Sequence, residues 1–161
     1  MKRRDLADHK TAPKRLRNMP TFRQMKRGKL PKPFHRMGGA RYSATDLIPV
    51  SETHSVLFIW GNGDILTDTR FYGYLLCGLP NGSLSPLLEF HWHPSHKGVH
   101  IKVPCETELD YTDRLLPGAP ELALKSSRMF DPRLSDDRKR LISVFCQAAG
   151  IALGQAGDLW N

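Results

Sequence analysis

Four of the seven histidines in this chain lie within ten residues of one another, at His91, His93, His96 and His100. Histidine gains or loses a proton near neutral pH, and it is also the commonest metal ligand in proteins. A cluster of this density therefore predicts either acid–base catalysis or a metal site. Which of the four side chains act together depends on the elements that hold them.

The sequence on both sides of the cluster alternates between apolar and polar residues. The apolar positions are Leu88, Phe90, Trp92, Val99, Ile101 and Val103, and the polar ones are Glu89, His91, His93, Gly98, His100 and Lys102. Such alternation around a short polar break at 94–97 predicts a half-buried hairpin. A four-residue loop there pairs His91 with His100 and Glu89 with Lys102. A slip of one residue would mix the two faces, so the pattern determines this register.

A third strand is predicted just before this hairpin. Asn81-Gly82 between two apolar runs is a strong signal for a two-residue hairpin turn. That turn places Arg70, Tyr72 and Tyr74 opposite His93, His91 and Glu89, respectively. Pro86 indicates an edge or a bulge in this strand, because proline has no N–H to donate to a ladder. One sheet face then displays Arg70, Tyr72, Tyr74, Glu89, His91, His93, His100 and Lys102.

The remaining segments predict an α+β domain with an antiparallel β-meander of four to five strands packed against a C-terminal helix. Residues 54–60 are apolar almost throughout, which is typical of a strand buried on both faces, and 64–66 are expected to start a partner strand. Further strands are expected over 70–77, 84–93 and 98–103. The helix is expected to begin after Ser135 as N-cap and to end at Gly154. Its apolar stripe is expected to cover Phe71, Leu75, Leu88, Phe90, Trp92, Val99 and Ile101.

Positive charge is concentrated in the first quarter of the chain. Residues 1–42 contain 14 Lys or Arg and 2 acidic residues, whereas residues 43–161 contain 10 and 14, which together give the net charge of +8. The first segment is also poor in aliphatic residues, so it cannot bury enough apolar surface to fold alone. We therefore predict a basic, flexible N-terminal arm over 1–42 that contacts nucleic acid phosphates or an acidic partner protein. The α+β domain would then occupy 43–161.

The cysteines and the apolar runs indicate a compartment. Cys77, Cys105 and Cys146 are odd in number and widely spaced, which favours reduced thiols that pack in the core. The sequence has no stretch of 18 apolar residues and no apolar signal-peptide region near its N-terminus. We therefore expect a soluble, cytoplasmic protein with no membrane partner.

The predicted polar face has the groups that cleave RNA without a metal or other cofactor. RNA carries its own nucleophile, the 2′-OH, so cleavage needs a base, an acid and cations near the phosphate. His91 and His100 would act as base and acid, with His93 and His96 as substitutes or substrate contacts. Lys102 and Arg70 would stabilise the phosphoryl oxygens. Tyr72 and Tyr74 would contact bases, and Glu89 would orient a histidine or pair with Lys102.

Two other functions use the same face. The sheet could be a recognition platform without catalysis, with the basic arm binding nucleic acid or an acidic protein. Alternatively, His91, His93 and His100 could supply three ligands to a zinc ion. The positive charge of Lys102 beside them disfavours this metal site.

The run from Tyr72 to Lys102 resembles the small ribonuclease toxins of the TumE kind, from bacterial type II toxin–antitoxin pairs. The matching features are Tyr72 and Tyr74, the Asn81-Gly82 turn, the run from Glu89 to Pro94, then His96, His100 and the helix from Ser135. This resemblance covers about residues 50–153. It implies an RNA-cleaving enzyme that a cognate antitoxin protein holds in check.

Overall fold

An antiparallel sheet forms the centre of the molecule. The computed structural model describes residues 3–94, 99–102, 110–112 and 130–154, and at 3–6, 99–102 and 110–112 the description is of the backbone alone. The elements in chain order are α1 (Arg3–Thr11), β1 (Arg15–Leu16), β2 (Arg23–Gln24), β3 (Tyr42–Ala44), β4 (Ile48–Pro49), β5 (His54–Gly61), β6 (Arg70–Gly78), β7 (Leu84–Trp92), β8 (Val99–Lys102), β9 (Asp110–Thr112), α2 (Ser135–Ala149) and β10 (Ala152–Leu153).

The strand order confirms the predicted α+β class and antiparallel meander. Strands β5, β6, β7, β8 and β9 are neighbours in sequence order, and β3 followed by β2 extends the sheet beyond β5. The short strand β4 also pairs with β5. One predicted strand is wrong: 64–66 do not begin a strand, and a short 3₁₀ helix at Leu66–Asp68 leads into β6 instead. Strand β9 lies beyond the four histidines and completes the described meander.

The hairpin of β6 and β7 turns through a longer loop than the sequence predicts. Gly82 N–H donates to the carbonyl of Leu79 at 2.9 Å, and Gly82 has a φ of +78°. This is a type I turn followed by a left-handed glycine, which makes a three-residue loop over 80–82. Gly78 therefore pairs with Leu84, one residue earlier than a two-residue turn would give.

A β-bulge restores the predicted register further along the same hairpin. Leu76 pairs with Pro86, but Leu75 pairs with Leu88, so Leu87 is the extra residue. The bulge adjoins Pro86, as expected of a residue that cannot donate to the ladder. Beyond it the pairs are those that the alternation predicts: Leu75–Leu88, Tyr74–Glu89 and Tyr72–His91. The ladder ends at Phe71–Trp92, so the predicted pair of Arg70 with His93 is not part of it.

Helix α2 covers one face of the sheet, as predicted. Its residues Leu141, Ile142 and Phe145 are buried in one core with Phe71, Leu75, Leu88, Phe90 and Trp92 of the sheet. Val99 and Ile101 are also predicted to lie on this face. Their backbone pairs with Trp92 and Phe90, but their side chains lie outside the description. Cys146 is buried in this core, as the sequence predicts for a thiol that packs.

Both predicted ends of the helix are wrong by a few residues. Leu134 occupies the N-cap position without a side-chain cap, and Ser135 is already helical. At the other end the helix stops at Gly150, which has a φ of +64°. A side chain at Gly150 would meet the carbonyl oxygen of Lys10 at 2.3 Å, so the close approach of α1 requires glycine there. The chain then forms β10, which pairs in parallel with β1.

The second face of the sheet is covered by the N-terminal segment that the sequence predicts to be a flexible arm. Met25, Leu30 and Phe34 are buried in a second core with Leu57, Ile59, Tyr72, Tyr74 and Leu76 of the sheet. Strand β2 joins the sheet through β3, so a domain boundary at residue 42 does not describe this arrangement. The few apolar residues of the segment thus find their partners on the sheet.

The helices in the described part of the chain fall short of a membrane span. None of them combines the length and the apolar character that crossing a bilayer requires.

The first prediction concerns the contact between β6 and α2. A Cβ added at Gly73 would lie 2.7 Å from a ring carbon of Phe145, and that ring is fixed by Phe58 and Phe90. We expect Gly73→Ala to lower the free energy of unfolding by about 1–3 kcal/mol through overpacking. Urea unfolding measures this. Gly78→Ala in the same strand is the control, because its Cβ would only meet the carbonyl of Thr53 at 3.9 Å. An equal loss in both variants would contradict the assigned contact.

Candidate functional site

His91 of β7 and His93, which follows the end of β7, lie in a cluster of rings on the sheet face opposite α2. The ring of His91 contacts Tyr72 at a centroid distance of 4.9 Å, Tyr74 at 6.0 Å and His93 at 6.0 Å. His93 also contacts Tyr72, at 5.5 Å. Tyr72, Tyr74 and His91 share this face because they occupy alternate positions on two paired strands, and His93 continues the alternation just beyond β7. We call Tyr72, Tyr74, His91 and His93 the ring cluster.

Glu89 adds a carboxylate to the ring cluster. Its Oε2 lies 3.5 Å from Nε2 of His91, and the two side chains are 32% and 17% exposed. That nitrogen is buried and makes no hydrogen bond with any group in the described part of the chain. The carboxylate therefore lies beside the imidazole of His91, a position that fits the predicted role of Glu89 in orienting a histidine.

The other predicted catalytic residues are placed by backbone register or lie outside the description. His100 is directly opposite His91, and Lys102 is opposite Glu89, in the register that the alternation predicts. The backbone positions bring all four residues to one place in the sheet. His96 lies outside the described residues.

The two tyrosines are buried, which contradicts their predicted role as exposed contacts for bases. Tyr72 is 8% exposed and Tyr74 is 4% exposed. Burial raises the pKa of both hydroxyls, and Glu89 raises that of Tyr74 further. The ring of Phe34 packs on Tyr74 at 4.4 Å, and the Tyr74 hydroxyl donates to the sulfur of Met37 at 3.7 Å. Both tyrosines thus serve as the floor on which the histidines pack.

Arg70 is exposed and lies on the predicted face of the sheet. It lies beside the hydroxyl of Tyr72 and near that of Tyr42, and the Tyr72 hydroxyl is the main reason that its pKa is raised. It lines a cleft of about 190 Å³ together with Arg41, Tyr42, Gly61, Asn62 and Asp68. Arg70 therefore adds positive charge at the side of the ring cluster.

Exposed cations lie along the segment whose residues Met25, Leu30 and Phe34 cover Tyr72 and Tyr74; we call these three residues the cover. We call residues 23–41 the basic segment, whose exposed cations are Arg23, Lys26, Arg27, Lys29, Lys32, Arg36 and Arg41. The first and last of these pair with Asp46 and Asp64. No acidic residue occurs in the sequence between Asp8 and Asp46, so positive charge dominates this surface.

A cleft opens between the basic segment and the turn after β3. Its volume is about 410 Å³, and Arg23, Lys26 and Lys29 line it together with Gln24, Met25, Leu30, Pro31, Thr45, Asp46 and Leu47. A pocket of this size, with an apolar wall and cations at its rim, matches the chemistry of a nucleotide base and its phosphate. We call it the basic cleft.

The cover residues Met25, Leu30 and Phe34 could not be found by pattern reasoning. Their spacing of five and four residues fits neither a strand nor a regular helix. The detectable signal was that these apolar residues occur singly within a basic segment.

No family model, curated protein or solved structure matches this chain.

The second prediction tests the cover. Replacing Phe34 with alanine removes the ring that packs on Tyr74, which in turn contacts His91, so His91 should become more accessible to solvent. We expect Phe34→Ala to lose about 3–5 kcal/mol of stability and to speed modification of His91 by diethylpyrocarbonate several-fold, as read by mass spectrometry. Phe22→Ala is the control, because Phe22 packs on the α2 side of the sheet. Equal reactivity of His91 in both variants would contradict the assigned cover.

Proposed function

We propose that this chain binds single-stranded RNA along the basic segment and cleaves it at the histidines of β7 and β8, without a metal. The main support for this proposal is that the basic segment and the ring cluster share one face of the sheet. Phe34 of the segment contacts Tyr74, and Tyr74 contacts His91. A chain bound to the cations would therefore run close to the histidines.

The binding half of the proposal rests on charge and shape. Lysine and arginine side chains that neutralise phosphates release condensed counterions, which drives the association of basic surfaces with nucleic acid. The basic cleft adds apolar residues between cations, so an unpaired base could enter while its phosphate meets Lys26 or Lys29. An accessible base is a feature of single strands, which favours single-stranded RNA over a duplex.

The catalytic half rests on the arrangement around His91. Glu89 faces Nε2 of His91, which leaves Nδ1 of that ring to exchange a proton with the substrate. His100 on the opposite strand would be the partner in acid–base catalysis, and His93 would contact the substrate. Lys102 and Arg70 would stabilise the charged phosphorane. The 2′-OH attacks the adjacent phosphate and the 5′-oxygen leaves, so the product ends in a 2′,3′-cyclic phosphate.

A binding module without catalysis is the second candidate. The burial of Tyr72, Tyr74 and Nε2 of His91 favours it, because a packed ring cluster can be a structural core rather than a reaction site. The cations and the basic cleft serve this function equally well. An acidic protein partner would use the same surface.

The biological setting that fits this proposal is a cytoplasmic ribonuclease toxin held by an antitoxin protein. Free thiols at Cys77 and Cys146 agree with a reducing compartment. An antitoxin with an acidic surface could cover the basic segment and so block access of RNA.

The third prediction concerns binding. We expect Lys26→Gln/Lys29→Gln to weaken the affinity for a mixed-sequence single-stranded RNA and to reduce the slope of log K against log salt by about 1.4, since each lost contact contributes about 0.7. Fluorescence anisotropy across a salt series measures both. The charge-matched control is Lys139→Gln/Arg140→Gln on α2, which should bind like wild type. Equal weakening in the two variants would indicate an effect of net charge alone.

The fourth prediction concerns cleavage. We expect wild-type protein to cleave the same RNA in the presence of EDTA and to leave 2′,3′-cyclic phosphate ends. His91→Asn/His100→Asn should abolish cleavage while it retains RNA binding, which serves as the internal control for folding. Binding without cleavage by wild type would support the binding module. Cleavage only after addition of zinc or manganese would support the metal site at His91, His93 and His100.

A further inference from the structure

A second group of metal-binding side chains lies away from the ring cluster. Three elements bring together His9 of α1, His54 at the start of β5 and Cys77 near the end of β6. His54 and Cys77 are directly paired across the two strands. The Nδ1 atom of His9, the Nε2 atom of His54 and the Sγ atom of Cys77 all lie within 4.8 Å of one another. Three different elements thus bring potential ligand atoms close together.

The spacing of these atoms is close to that of a tetrahedral metal site. Nδ1 of His9 and Nε2 of His54 are 3.0 Å apart. Zinc bond lengths place two ligand nitrogens about 3.4 Å apart and a nitrogen and a sulfur about 3.6 Å apart. The two nitrogens would therefore separate by a few tenths of an ångström. The thiol of Cys77, which donates to the carbonyl of Gly78 at 3.5 Å, would move toward the nitrogens by about 1.2 Å at most.

His54 is held as a metal-binding histidine usually is. Its side chain is buried, and Nδ1 lies 2.9 Å from Oγ of Ser51 and 3.0 Å from Oγ1 of Thr53. Hydrogen bonds at the nitrogen that does not bind the metal fix the orientation of the ring, so that Nε2 of His54 faces the site. Each hydroxyl can donate or accept, so both hydroxyls accommodate the tautomer with a free lone pair on Nε2.

Positive charge near the group restricts the ion that it would take. The buried ammonium of Lys14 donates to the carbonyls of His9, Lys10 and Ala12 at the end of α1, and its charge also acts on His54. A bare dication beside it would be repelled, whereas a thiolate offsets one charge. The site therefore requires a thiophilic ion that ionises Cys77, whose proton passes to the solvent on binding.

We propose that His9, His54 and Cys77 bind a thiophilic metal ion, Zn²⁺ or Cu⁺, that fastens α1 to the adjacent ends of β5 and β6. Two imidazoles and one thiolate suit both ions, and zinc would keep a fourth position for water. The site is separate from the ring cluster, because Cys77 lies five residues, about 17 Å, along β6 from Tyr72. Its role is structural, so it does not conflict with RNA cleavage in EDTA.

The test uses cobalt as a spectroscopic probe for zinc on the reduced, metal-free full chain. We expect one Co²⁺ per chain to produce a thiolate-to-cobalt charge-transfer band that Zn²⁺ then displaces, together with a rise in melting temperature on addition of Zn²⁺. Cys77→Ser should remove the band, and His9→Gln should weaken cobalt binding at least about tenfold. Cys105→Ser is the matched control and should keep the band. Cobalt bound by the histidines of the hairpin would not give a thiolate band.

A parallel titration separates the two ions. Competition with a chromogenic Cu⁺ chelator shows whether Cu⁺ binds in a ratio of one per chain and whether Cys77→Ser abolishes that binding. A chain that takes neither Co²⁺ nor Cu⁺ through a thiolate overturns the proposal. So does a band that survives Cys77→Ser or disappears in Cys105→Ser. Loss of the band in Cys77→Ser and weaker cobalt binding in His9→Gln, both with unchanged circular dichroism, support it.

Discussion

Strand β6 is buried along most of its length on both faces, and the rest of the structure depends on covering it twice. Six consecutive residues, 71–76, are buried. Helix α2 covers the face of Phe71 and Leu75, and the basic segment covers that of Tyr72, Tyr74 and Leu76. Backbone pairing satisfies the strand's polar groups, but its side chains require an apolar partner on each side. A segment with few apolar residues can supply one of these layers because the sheet supplies the other half of the core.

The position of the histidines depends on two departures from regular geometry that cancel. The loop at 80–82 is one residue longer than a two-residue turn, and the bulge at Leu87 takes up that residue before the strand reaches Glu89. Without the bulge, every later side chain of β7 would move to the opposite face, and His91 would point into the α2 core. An imidazole there would replace Phe90 or Trp92 among buried aromatic rings. The apolar core therefore enforces the bulge and, through it, the place of His91.

Periodicity in the sequence predicts the strand register, whereas contacts between distant segments escape it. Alternation alone gives the pairs Glu89–Lys102 and His91–His100, because only that register separates polar from apolar residues. It also places α2 on the correct face. It cannot show that Tyr72 and Tyr74 are buried, because the apolar residues that cover them are aperiodic and lie in a basic context. Nor can it show the group formed by His9, His54 and Cys77, whose members are separated by 45 and 23 residues and meet only after β5, β6 and α1 have packed.

In the proposed function, the basic segment contributes to both stability and recognition. Its apolar side chains keep Tyr74 buried on the sheet, while its cations stay exposed to solvent, where the proposed RNA would meet them. A ligand that held the cations in their present places would stabilise the cover, because it binds the folded state alone. A ligand that drew the segment away would instead expose the ring cluster. The first case favours a binding module with an enclosed histidine, and the second would make the histidines accessible only when RNA is bound. If the chain cleaves RNA as proposed, Nδ1 of His91 must reach the phosphate, so movement of the basic segment is where binding and catalysis would differ.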